Sequence, residues 1–294
     1  MKAAYAILLL ATTLSPPAST AAARGTPTNS VCPASPRLAR LVAEADLVVV
    51  ASPAVPEDQL RSAMGRPTGD RGYIDIPLGR VTILRGQADP AGLVVKFYPG
   101  NTAYMPSPEA VLARAGQPTL LFVTRVDEGP SGLYLARSVD ALQPASRLQV
   151  EAVQAEVRRQ RLIASRWVAE PTLPHFARVR ELVSNLPSAS QERQEQIFQQ
   201  LEALGSAAVP AIVAQMDDRR PLAHQQISLV NDNSDAFEGL RHYDPKLIVD
   251  ALDAILNQVV GLGGSIANGG SERERRSAVE MWRVHAADLQ CGVR

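Results

Sequence analysis

The hydrophobic period of this chain changes once, near residue 145, and that change limits the folds open to it. Before it, apolar residues fall in short β-branched runs bounded by Gly and Pro. After it, they recur every three or four positions. The first pattern builds strands, and the second builds helices with one buried face. The expected class is α+β: a small antiparallel β-barrel over residues 24–145, then an α-helical hairpin domain over 146–294. The 294 residues are enough for a sizeable core in one large domain or two ordinary ones.

The strand signals of the first half are compact. Residues 37–45 read as one short helix, followed by the run Leu47-Val48-Val49-Val50-Ala51. Residues 52–72 carry Pro53, Pro56, Gly65, Pro67, Gly69 and Gly72, which predicts a long irregular connection. Strands are then expected over 73–77, 79–84, 93–98 and 119–124, with 132–136 closing a hairpin across Asp127-Glu128-Gly129-Pro130. No twelve-residue helix intervenes, which points away from a parallel α/β sheet.

In the second half Leu148, Val150, Val153, Val157, Ala164 and Trp167 fall on one face of a helix over 147–168. Phe176 to Leu186 repeats the pattern. Ser188 with Gln191 offers a capping box before Ile197 and Leu201, and Gly205 stops that helix. Val209 to Met216 makes another, with Pro210 in its first turn. Asp244-Pro245 starts a helix that ends at Gly261, and Ser271 with Glu274 caps the last, which carries Trp282 inward.

The first 23 residues carry a positive Lys2, a short apolar run and small residues at Ala21, Ala22 and Ala23, the pattern of a cleaved signal peptide. The apolar run is shorter than the roughly 20 residues a bilayer span needs. The mature chain is therefore expected in the periplasm or outside the cell, with no transmembrane segment. An oxidising compartment permits a disulfide between the two cysteines, Cys32 and Cys291.

Three segments of the first half, "EADLVVVASP", "GRVTILRG" and "GQPTLLFVTR", resemble the strand series of bacterial secreted domains related to netrin-like and TIMP-like OB barrels. The resemblance implies an OB-like barrel. TIMP-like inhibitors use an N-terminal Cys-x-Cys array, whereas Cys32 stands alone here, so inhibition by metal chelation does not carry over. In the second half "QIFQQLEALGSAAVPAIVAQMDD" resembles a HEAT-type repeat, which implies stacked helix pairs with a concave surface suited to protein partners.

Charge and motif spacing exclude several chemistries. Thirty basic residues against thirty acidic ones lack the excess that displaces counterions from nucleic acid. His175, His224, His242 and His285 are too far apart for a metal pair such as HExxH. Asn231 to Asp235 opens like a calcium loop but has Ala236 where Gly is needed and His242 where Glu belongs. Gly261-Leu262-Gly263-Gly264 follows a helix and lacks a Lys-Ser/Thr, so it reads as a terminator. No cofactor, metal or catalytic residue is assigned. Arg158, Arg159 and Arg161, on the polar face of the Trp167 helix, are candidates for docking an acidic partner. The leading expectation is a non-catalytic exported binding protein with a protein partner. The alternatives are an envelope hydrolase with carboxylates on loops 52–72 and 99–118, marked by a pocket joining the halves with paired carboxylates, and a protease inhibitor.

Overall fold

The computed structural model describes residues 32–64, 73–98, 105–125, 133–230, 240–261 and 266–292. The signal-like segment, the 127–130 turn, the 231–235 oxygen-rich run and Leu262-Gly263-Gly264 lie outside the described residues. From Val31 onward the chain forms one compact unit.

Helix α1 (Pro36–Glu44) starts where the Ser35 hydroxyl accepts the Leu38 amide, with Pro36 at the first helical position. It leads into β1 (Leu47–Pro53). The connection expected to be irregular contains a helix, α2 (Glu57–Met64), whose first turn is acidic and so complements the helix dipole. Residues 73–77 and 79–84, expected as two strands, form one, β2 (Ile74–Arg85). Its first part pairs with β3 (Val94–Phe97), and its last part pairs with β1. A positive φ at Arg80 and register shifts opposite β1 bend it between the two neighbours, as a bulge does. Then come α3 (Pro108–Leu112), β4 (Thr119–Arg125), β5 (Leu133–Leu135) and β6 (Leu142–Pro144).

Five strands close a barrel in the order β1-β2-β3-β5-β4-β1, with β6 added beside β4. The all-antiparallel expectation needs correction: β3 and β5 run parallel, so the barrel is mixed. Hairpin signals report only neighbours joined by a short turn. β5 reaches β3 after the chain has passed through α3 and β4, and no local pattern records that.

Closure explains the continuous apolar runs. Leu47, Val49 and Ala51 of β1 and Leu121 and Val123 of β4 fill the barrel. Val48, Leu120 and Phe122 point outward and pack under Leu41 and Val42 of α1 and Val153 and Val157 of α4 (Arg147–Arg166). Both faces of these strands are covered, so neither shows polar alternation. The capping box of α4 joins Ser146 and Gln149. Leu148, expected on the buried face, is 78% exposed because it sits in the first turn, outside the contact with the barrel.

A separate core holds the remaining helices: α5 (Phe176–Asn185), α6 (Gln191–Ala203), α7 (Val209–Val213), α8 (Ile248–Val260) and α9 (Glu272–Gln290). The cap of α6 is Ser190, not Ser188, because Leu186–Ser188 is spent in a 3-10 turn around Pro187. α8 begins at Ile248, later than Asp244-Pro245 suggested. Asp250 takes the backbone amides of Lys246 and Leu247 at 3.1 and 3.0 Å and fixes the start there. An antiparallel strand pair unseen in the sequence, β7 (Ile227–Val230) and β8 (Leu240–Tyr243), packs into this core through Ile227 and Leu229. Simple helix-pair stacking is thus interrupted between α7 and α8. Among the described residues no helix is long and apolar enough to cross a membrane.

Candidate functional site

The polar side chains of α4 organise the junction between barrel and helices. Gln160 is buried, and its amide nitrogen donates to the Ala39 carbonyl of α1 at 2.8 Å and to Glu156 at 2.7 Å. Those two bonds leave the amide oxygen facing the barrel, where it accepts from the Arg85 guanidinium at 2.7 Å. Glu156 also takes Arg159, whose other nitrogens reach Asp288 of α9 at 2.7 Å. Burial raises the pKa of Asp288, and its bond from Arg159 opposes that shift. A continuous polar chain thus runs from the last strand turn of β2, through α4, to the C-terminal end of α9.

Beside this chain lies a cavity of about 390 Å³ between the barrel and helices α4 and α9. Arg85 of β2, Arg125 of β4, Arg161 of α4, and Arg273 and Arg276 of α9 line it. On α9 the spacing 273, 276, 277, 280 and 284 puts one helical face into the cavity. Burial pushes the pKa of Arg85 below its usual value, and Arg161 adds to that, while the Glu280 and Asp46 carboxylates oppose it.

Two carboxylates face these five guanidinium groups. Asp46 accepts the Arg125 amide at 2.9 Å with one oxygen and the Ser277 hydroxyl at 3.2 Å with the other, fastening the edge of the barrel to α9. Glu280 is exposed. Gly86 completes the wall with φ of +85°, and a Cβ built there would collide with the Asp46 carbonyl oxygen. Only glycine lets β2 end this close to the start of β1.

The three arginines singled out in the sequence part company. Arg161 lines the cavity and Arg158 is exposed on the same helix. The Arg159 side chain is 11% exposed and held between Glu156 and Asp288, so it does not share the solvent-facing surface. Arg85, Arg125, Arg273 and Arg276 went unnoticed. Arg273 and Arg276, one helical turn apart opposite the face of Trp282, carried a weak signal. Arg85 and Arg125 carried none, since the ends of two strands meet only in the closed barrel.

A pocket joining the two halves therefore exists, but its charged residues are five arginines against two carboxylates. Glu57, Asp58 and Glu109, the carboxylates in the described parts of the loops weighed for a hydrolase, do not line it. Among the described residues no group of three His, Cys, Asp or Glu side chains is placed to hold a metal ion. Cys32 and Cys291 form a disulfide. No family model, curated protein or solved structure matches this chain.

Proposed function

We propose that the chain is a secreted or periplasmic binding protein without catalytic activity, presenting the basic recess between barrel and helices to an acidic protein partner. The observation that carries this is the convergence of five arginines from β2, β4, α4 and α9 on one cavity. A guanidinium keeps its proton at any working pH, so it grips oxyanions and does not exchange protons with a substrate. Exposed Arg158 extends the basic surface along α4.

The finer readings of the architecture belong to the same proposal. An OB-like barrel is supported by the closure order with β3 and β5 parallel. A HEAT-like helical layer is supported by α6 ending at Leu204-Gly205 and α7 opening on Val209-Pro210. Export is supported by the signal-like start, and the disulfide fits an oxidising compartment.

Two measurements test the proposal. N-terminal sequencing of the native protein should begin near Arg24, and an intact Met1 in a cytoplasmic fraction contradicts export. Immobilised mature protein should retain a saturable partner from envelope extract, and Arg161→Glu with Arg276→Glu should release it. Retention indifferent to both substitutions removes the recess from the function.

A further inference from the structure

We infer that the cavity between the barrel and helices α4 and α9 is a binding site for a small phosphate monoester. The inference rests on reading this junction as a binding site and names the chemistry it takes.

Among the described residues of the lining, five arginines stand against two carboxylates, Asp46 and Glu280. Among the described residues, Arg85, Arg161, Arg273 and Arg276 form no ion pair within 4 Å, although Arg275, Arg283 and Arg219, on or beside the same helix, are each paired. The hydrogen bond that Arg85 makes, to Gln160, is to a neutral amide. Asp46 keeps its charge while accepting the Arg125 amide and the Ser277 hydroxyl, and it offsets part of the Arg85 charge. Glu280 is the other carboxylate of the lining and offsets part of that charge too, so the two carboxylates fall short of the arginines. Among those four arginines Arg85 is the partly buried one, and an anion brought to it recovers part of the cost of desolvating that cation.

The arrangement favours phosphate over carboxylate. One guanidinium fork saturates the two coplanar oxygens of a carboxylate. Here guanidinium groups arrive from a strand end and two helices, more than one carboxylate can engage. A phosphate monoester offers three acceptor oxygens in a tetrahedral array and nearly two charges at neutral pH. The cavity is larger than the anion alone, and its size falls in the range of small-molecule sites. Val157, Ala164 and Val284 give it an apolar wall against which an organic body packs.

The test is calorimetric titration of the mature, oxidised protein at fixed ionic strength with phenyl phosphate, inorganic phosphate and succinate. Phenyl phosphate should bind saturably and more tightly than either. Arg85→Gln and Arg276→Gln should each weaken it by roughly ten- to a hundredfold, the worth of one charged hydrogen bond. Arg276 is exposed, so its substitution leaves folding intact, and Arg193→Gln, on the exposed side of α6 away from the cavity, should leave binding unchanged. Absence of saturable binding, indifference to Arg276→Gln, or equal affinity for succinate or inorganic phosphate overturns the inference. Charge-dependent capture of a protein partner by a chain that binds no phosphate overturns this inference alone. Failure of both retires the junction as a binding site.

Discussion

Cys32 and Cys291, 259 positions apart, are joined by a disulfide with their Cα atoms 5.5 Å apart, so the segment before α1 is tied to the end of α9. α1 and α9 also pack directly on each other, and α9 carries two of the five arginines of the cavity. The bridge therefore belongs to the framework that holds barrel and helical layer in one body. Closing so long a loop restricts the unfolded chain by roughly 5 kcal/mol in the entropy model. Cys32→Ser with Cys291→Ser should lose a stability of that order in urea denaturation, and thiol titration of the denatured, unreduced protein should detect no thiol. Two thiols per chain contradict the bridge.

Trp282 is 0% exposed, and its indole nitrogen donates to Asp253 at 2.7 Å. Trp282→Ala should cost about 3–5 kcal/mol, as for a large core side chain. Trp282→Phe keeps most of the packing but removes the donor, and should cost about 1–3 kcal/mol. Chemical denaturation of the two variants separates packing from the hydrogen bond, and a near-neutral Trp282→Ala contradicts the buried placement.

Asp253 gives the stability a pH dependence. Burial raises its pKa to about 6 from the ordinary 3.8, against the bonds from Trp282, Ile266 and Asn257 that favour the charged form. The folded chain holds this proton more tightly than the unfolded chain does. The contribution is therefore full below about pH 4 and is lost as pH rises through about 6. His285, whose pKa burial and Arg40 lower, works in the opposite sense and loses stability as pH falls. The difference between wild type and Asp253→Asn isolates the carboxyl. Relative to the variant, the wild type should weaken between about pH 4 and 6 and level off above.

Arg159 and Arg158 are neighbours with opposite fates. Arg159→Ala leaves Glu156 and Asp288 buried without their cation and should cost about 3–5 kcal/mol. Arg158→Ala, on the exposed side, should fall within about 0.5 kcal/mol of wild type. Equal effects in thermal denaturation contradict the inward turn of Arg159.

Gly86→Ala puts a side chain at positive φ against the Asp46 carbonyl and should cost at least about 2 kcal/mol. Gly92→Ala, where a Cβ meets open space, is the control and should be far milder. Similar melting temperatures for the two variants contradict the close approach.

The sequence by itself determined what depends on contacts a few residues apart. The Ser271–Glu274 cap starts α9, Gly261 ends α8 in the left-handed conformation, and the face shared by Ala278, Val279 and Trp282 is buried as its spacing required. The β1 and β4 runs are strands. Tertiary structure alone decided what depends on residues brought together from afar. The parallel pairing of β3 with β5, the choice of Arg159 over Arg158 for Asp288, 129 positions away, and the convergence of Arg85 and Arg125 on α9 are of this kind. A hydrophobic period records which face of an element is covered, because burial acts on every turn or alternate residue. It carries no record of which distant element does the covering, and an arginine spelled the same way in the chain becomes a buried ion pair, a cavity wall or a solvated side chain by that choice.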